Sequence, residues 1–356
     1  MRAGVHPARR ILHPLRRHPA QAANKKKELR VLRGALFFFT GVEALRWSPS
    51  SRLARTEHRD TLTTRRQLED PMPVDSPASN GTRTIVLIHG LFLTWSSWEK
   101  WVDRYAARGF KVIAQPWPGL EGSVESLRAD PTPLKNLDIK TVLDYLDGVI
   151  RALDAPPIIM GHSFGGLFAQ LLAYRGLGSA AVGVDPGAPV GVLNLPLSTL
   201  KAGAPVLANP FNIGNATMLT PEQFHFAFAN TLSEDESKAL YDRYAVPCAN
   251  RVLFEGAFEN FVPHSAAKVD VKSSRPPILL IAGGEDHIVT SGYTRSNFHL
   301  ISQSPGISAF KEFPGRPHFT GAVEGWEAVA DYALDWALNP VATVATEPEP
   351  STAGTT

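Results

Sequence analysis

Residues 161–166 read GHSFGG, which sets Ser163 in a Gly-x-Ser-x-Gly pattern, Gly161-His162-Ser163-Phe164-Gly165. The stretch PPIIM before it is a short apolar run of strand type, and GLFAQLLAYRG, 166–176, after it has helical apolar spacing. A serine on a sharp strand-to-helix turn can act as a nucleophile. That use explains the glycines. The serine must hold a strained backbone, and its neighbours must be small so that strand and helix can approach closely. The competing reading is a glycine-rich phosphate cradle. It needs G-x-G-x-x-G or G-x-x-x-x-G-K-S/T spacing, and neither fits here.

A serine hydroxyl attacks only when a base removes its proton, and the base is a histidine oriented by a carboxylate. In the chain order Ser, Asp/Glu, His, Asp286 stands in GGEDHIV, 283–289, directly after an apolar strand-like run. His318 stands in PGRPHF, after the next such run and before the last helix. Both positions are strand C-terminal ends, the same rim as Ser163. Asp185, in GVDPGAP, also follows a strand and is the alternative acid; Glu285 is a weaker rival. His264, His287 and His299 read as surface or structural residues. Cys248, in VPCAN, has no nucleophile signature around it and reads as a structural thiol.

Strands and helices must alternate to bring these residues to one edge, and they do. RTIVLIHG, FKVIAQ, PPIIMGH, AAVGV, PPILLIAGG and SAFKEF read as six strands, the most apolar of them as continuous runs. Helical spacing fills 98–109, 139–153, 166–176 and 325–338. The fold class is therefore α/β: a mostly parallel central sheet with helices on both faces. Residues 187–275 break the rhythm with helical segments and loops but no clear strand. Thr220 with Pro221 marks one helix start, and Ser233 with Glu236 forms a capping box at another. The expected organisation is a core of 72–186 and 276–338 with a helical cap or lid, 187–275, over the site.

Of 356 residues, 44% are hydrophobic and 20% charged, the balance of an ordinary globular protein. A single cysteine excludes an internal disulfide framework and a cysteine-rich zinc site. The net charge of +2 hides an asymmetry. Residues 1–71 hold 16 Lys+Arg against 6 Asp+Glu, and the remainder 20 against 28. The mildly acidic remainder argues against nucleic acid as a partner. Residues 1–71 read as a basic, disordered extension, with Met72 as the expected natural start. The apolar run 34–45 is short of the roughly 20 residues of a membrane span. Arg46 and Trp47 follow it where a small-residue cleavage site would stand. The expectation is a cytoplasmic protein without a membrane partner. The tail, 339–356, is rich in Thr, Ala, Pro and Glu and reads as disordered.

On HG at 89–90, GHSFGG at 161–166, GGEDHIV at 283–289 and GRPHF at 315–319, the chain resembles the α/β-hydrolase superfamily over roughly residues 83–338. The resemblance implies a triad of Ser163, Asp286 and His318. It also implies an oxyanion hole from the backbone N–H groups of Leu91 and Phe164, with His89 ordering that loop and His162 packing beside the serine turn. It implies acyl transfer on an ester, thioester or lactone with no cofactor and no metal. The alternatives on the same scaffold are a perhydrolase, a lyase or a non-catalytic ligand receptor. One departure is QPWPGLEGS after the second strand, where many relatives carry a D-x-x-G-H-G-type loop; it leaves the shape near Trp117 open. Trp95 and Phe226 are candidate substrate contacts for an apolar acyl or aromatic group of a small molecule.

Overall fold

The structure is a computed structural model that describes residues 83–193, 196–262 and 264–342. The expectations for residues 1–71, the run 34–45 among them, for Met72 and for the tail beyond 342 lie outside the described residues. The strands are β1 (Thr84–Ile88), β2 (Lys111–Gln115), β3 (Ile158–His162), β4 (Ala180–Val184), β5 (Ala216–Thr217), β6 (Cys248–Ala249), β7 (Ile278–Gly283) and β8 (Ser308–Phe313). Six of them make one sheet in the order β2-β1-β3-β4-β7-β8. Every pairing in it is parallel.

The central strands are buried on both faces, which is why they read as unbroken apolar runs. All five residues of β3 and β4 and all six of β7 are buried. The edge strands are more mixed, with four of five residues of β2 only half-buried. Alternate residues, Ile85, Leu87, Met160, Val182, Leu279 and Ile281, pack against α1 (Glu99–Ala107) and the closing helix. The helices that follow α1 are α2 (Val124–Ala129), α3 (Ile139–Arg151) and α4 (Phe164–Tyr174). Next come α5 (Leu197–Leu207), α6 (Pro221–Phe228), α7 (Glu234–Tyr244), α8 (Asn250–Phe258), α9 (Ser291–Ile301) and the closing helix α10 (Trp326–Leu338). Helix α4 is apolar but for Gln170 and buried from Gly165 to Ala173, as a helix pressed between sheet and outer layer must be.

Chain order fixes where a site can form. β1 is flanked by β2 on one side and β3 on the other, so the connections leave it in opposite directions. The crevice outside the carboxyl ends of β1 and β3 is the place where such sheets bind ligands.

Four helices and a short ribbon lie between β4 and β7. Thr220 caps α6 with Pro221 at its first turn, and Ser233 and Glu236 form the capping box of α7. No strand is expected there from the sequence, yet β5 and β6 pair antiparallel. A two-residue strand is too short for period-two alternation to register.

Candidate active site

Ser163 directly follows β3 and stands at the N-cap of α4 with φ 55° and ψ −119°. A non-glycine residue in that region is strained by about 1–3 kcal/mol and persists only where its surroundings hold it. Three hydrogen bonds do so. The Ser163 N–H donates to Val184 O at 2.9 Å, and its carbonyl accepts from Leu167 and Gly187 at 3.1 and 3.0 Å. The flanking glycines are there for close approach: a Cβ on Gly165 would lie 2.1 Å from Ile88 O, and one on Gly161 would lie 2.0 Å from Gly165 O. Ser163 itself is 6% exposed.

His318 stands on the β8–α10 connection and Asp286 just after β7, 32 residues apart. They meet as a fully buried pair: His318 Nδ1 lies 2.7 Å from Asp286 Oδ2. The other carboxylate oxygen accepts the N–H groups of Ile288 and Val289 at 2.7 and 2.9 Å. Burial raises the Asp286 carboxyl, and the two backbone donors oppose it. With the His318 proton on Nδ1, three N–H groups point at its two oxygens, which favours the carboxylate form. Burial pulls the His318 imidazole down to about 3, so the ring is neutral at rest. With Nδ1–H on Asp286, the free lone pair is on Nε2. That atom is buried and has no partner among the described residues. The Ser163–His318 hydrogen bond is therefore open in this conformation.

Asp185, the alternative acid, is fully buried at the end of β4 with φ 47°. Its Oδ1 accepts the Gly283 N–H at 2.6 Å, and Oδ2 has no hydrogen-bond partner among the described residues. The nearby Thr320 hydroxyl donates to Pro317 O instead. Burial, and then the Asp286 charge, push the Asp185 carboxyl well up. His162, Asp185 and His318 bring buried ligand-type atoms within 4.8 Å of one another. Two of the three are already tied: His162 Nε2 to the His318 carbonyl and His318 Nδ1 to Asp286. His162 Nδ1, Asp185 Oδ2 and His318 Nε2 have no hydrogen-bond partner among the described residues.

Leu91 lies in the loop after β1, and Phe164 opens α4. Phe164 is the first residue of α4, so its N–H has no partner within the helix. Leu91 follows Gly90, whose would-be Cβ lies 2.8 Å from the Ser163 Cβ. His89 holds this loop. Its Nε2 accepts the Trp117 N–H at 3.3 Å, which leaves Nδ1–H to donate to Gly90 O at 2.8 Å. That bond fixes the peptide whose other end is the Leu91 N–H. Burial pulls His89 down to about 4, consistent with a neutral ring. Trp117, whose loop departs from the common pattern, is fully buried and stacks on His89 with centroids 4.9 Å apart.

Trp95 is 41% exposed on the turn before α1. Phe226 is half-buried, with its ring 4.7 Å from that of His287 and the Lys201 Nζ 3.7 Å from its centroid. Phe228, which shares a helix face with Phe224, meets His318: its ring lies edge-on to the imidazole at 5.1 Å. The Phe224–Phe228 stack, visible in the i, i+4 spacing, is present at 4.8 Å. Nothing in the spacing signals which of the two rings touches His318, because that contact spans 90 residues of chain. Of the other histidines, His287 donates its Nδ1–H to Phe226 O at 3.0 Å.

A model of the alpha/beta hydrolase family matches residues 85–344. Chlorophyllase-1 from Citrus unshiu and from Citrus sinensis are each 28% identical over 128 residues. Those residues cover 33% of this chain and 36% of theirs, so the chain spans about a third of the length of the curated relatives it matches. Among solved structures, the monoacylglycerol lipase of Paleococcus ferrophilus is 21% identical with a TM-score of 0.52, over 72% of this chain and 96% of its own. An extracellular alpha/beta-hydrolase from a Paenibacillus species is 22% identical with a TM-score of 0.53, over 71% and 98%. Tomato methylketone synthase I complexed with 2-tridecanone is 18% identical with a TM-score of 0.52, over 72% and 98%. At these identities the structures speak for the fold.

Proposed function

The chain belongs to the alpha/beta hydrolase family, and from that premise we propose that it is a serine hydrolase cleaving an ester-type bond, a carboxylester, thioester or lactone, through an acyl-enzyme. The observation that carries the reading is the fully buried His318–Asp286 pair at 2.7 Å behind a strained Ser163. Ser163 Oγ attacks the carbonyl carbon while His318 Nε2 takes its proton. Asp286 holds the imidazole in the Nδ1–H form and faces the positive charge that develops on it. The N–H groups of Leu91 and Phe164 receive the oxyanion. Collapse expels the alcohol or thiol, which takes the proton from Nε2, and water then repeats the cycle on the acyl-enzyme. The Ser163–His318 hydrogen bond closes with substrate, as catalytic bonds that are long in free enzymes do.

In this reading the segment between β4 and β7 is a cap. Three contacts support it. The Val246 N–H donates to Phe92 O in the oxyanion loop, and the Phe319 N–H donates to Phe228 O. Gly256 sits on the Phe164 ring so closely that a Cβ there would lie 2.4 Å from it. Aromatic side chains from the cap favour a substrate with an apolar acyl or aromatic part, and the lipase among the related structures agrees with that class. We place the enzyme in the cytoplasm, acting on a small molecule. No helix among the described residues is long and apolar enough to cross a membrane.

The open Nε2 of His318 favours one second reading, a lyase or ligand receptor on this scaffold that forms no acyl-enzyme. Hydrolysis of p-nitrophenyl esters of increasing acyl length by the full chain separates the two. A burst of nitrophenol stoichiometric with protein, absent in Ser163→Ala, is expected. No hydrolysis above the Ser163→Ala background would sink the proposal and leave the second reading.

A further inference from the structure

We propose that His162, the residue before the nucleophile, is a positioning residue that ties the base to the serine turn; the inference rests on the reading of His318 as base. The peptide joining His318 to Phe319 is gripped at both ends. Its carbonyl, on His318, accepts the N–H of His162 Nε2 at 2.8 Å. Its N–H, on Phe319, donates to Phe228 O at 2.9 Å. One grip comes from the turn that carries the nucleophile, and the other from the segment that lies over it. A carbonyl is the partner of His162 Nε2, so that nitrogen must carry the hydrogen. Nδ1 is then a bare lone pair, buried and without a hydrogen-bond partner among the described residues.

The ring contacts agree with a positioning role. The His162 and His318 rings lie 4.7 Å apart at 49°, and His162 also lies against Phe319 at 5.9 Å. His318 is fully buried and His162 is 4% exposed. Water therefore does not stand in for a lost donor at the His318 carbonyl. The rest of the connection between β8 and α10 is pinned further along the chain. Arg316 donates to the carbonyls of Thr320, Glu324 and Gly325, and Glu285 N–H donates to Arg316 O. Within this connection, the His162 bond alone joins the base's own peptide directly to the residue beside Ser163. Asp286 holds the ring and Phe228 the far end of the peptide; His162 is the side chain that ties this assembly to the nucleophile's own turn. A small displacement of the base is expensive in rate, because about 1 Å of misplacement costs about 10²-fold.

The test compares His162→Phe, which keeps a ring and loses the donor, with His162→Gln, whose amide N–H reaches the same carbonyl. His162→Met replaces the Phe variant if that one does not fold. The first readout is the low-field proton resonance of His318 Nδ1–H, identified by its loss in Asp286→Asn; it does not depend on turnover. The expected result is a sharp resonance in wild type and His162→Gln and a broadened or absent one in His162→Phe. The second readout is the rate of fluorophosphonate labelling at Ser163, expected to fall about ten- to a hundredfold in His162→Phe and to be largely restored in His162→Gln. The KM for a p-nitrophenyl ester should not move with it. A sharp resonance in His162→Phe, or equal loss in the Phe and Gln variants, overturns the inference. A wild type that is never labelled counts against the serine-hydrolase reading instead, and the resonance comparison still decides the role of His162.

Discussion

Replacing Asp286 by asparagine should disable the base through its tautomer, with the fold kept. Asp286 Oδ1 accepts two backbone N–H groups, from Ile288 and Val289. An asparagine must leave its carbonyl oxygen there, since an amide NH2 facing two N–H donors would strand all of them. The NH2 then faces His318 Nδ1, 2.7 Å from where Oδ2 stood. Nδ1 must become the acceptor, the ring proton moves to Nε2, and the lone pair that should take the serine proton is gone. Loss of the same function in a comparable triad costs about 10⁴ in kcat, which is about 5.4 kcal/mol of transition-state stabilisation. The assay is nitrophenyl ester turnover alongside a thermal melt. The variant should melt within a few degrees of wild type while kcat falls about 10⁴-fold. Asp185→Asn should lose far less, because Asp185 binds Gly283 N–H and not the His318 ring. Asp286→Asn retaining activity within about tenfold of wild type, with Asp185→Asn inactive, would refute the reasoning and make Asp185 the acid.

Removing the His89 side chain frees the Gly90 carbonyl and with it the aim of the Leu91 N–H; His89→Ala should lower kcat by about 10²-fold with little change in KM, measured on the same esters. Gly165→Ala drives a Cβ to 2.1 Å from Ile88 O and should destabilise by about 3 kcal/mol or more in urea melts. Gly148→Ala, mid-helix in α3 with no atom near its would-be Cβ, should stabilise by about 0.5–1 kcal/mol. Burial raises the Glu259 carboxyl well above its ordinary value, so the folded state holds a proton that the unfolded chain releases above about pH 4.5. Stability from this group is full below that pH and is lost as pH rises towards the folded value. Glu259→Gln should therefore gain stability relative to wild type between pH 5 and pH 8, and a Tm difference that does not change with pH would contradict the assignment.

The parts of this molecule legible in the sequence are those decided locally. The apolar runs of β1, β3, β4 and β7 announce a two-sided parallel sheet because each is buried on both faces. Ser163 is legible because its strained turn demands Gly161 and Gly165 beside it, and Ser233 with Glu236 is legible because a capping box is closed within four residues. Asp286 and His318 could be placed on one rim by strand order, the GGEDHIV motif favoured Asp286 over Asp185, and the 2.7 Å contact supports that preference. Trp117 and Phe228 escaped for a different reason. Each acts through a partner far along the chain, His89 and His318, and an aromatic in a loop or helix looks the same whether it packs or positions. The bond from His162 to the His318 carbonyl spans 156 residues. No spacing rule reaches that far, and the ribbon of β5 and β6 is too short for its period to show.

The most direct test is the intact mass of the full chain after incubation with a fluorophosphonate, for wild type and Ser163→Ala. A single adduct on wild type, mapped to Ser163 and absent from the variant, is the predicted result, since only an activated serine in reach of His318 reacts at a useful rate. A folded wild type that gains no mass, or one that labels equally well in Ser163→Ala, would contradict the account.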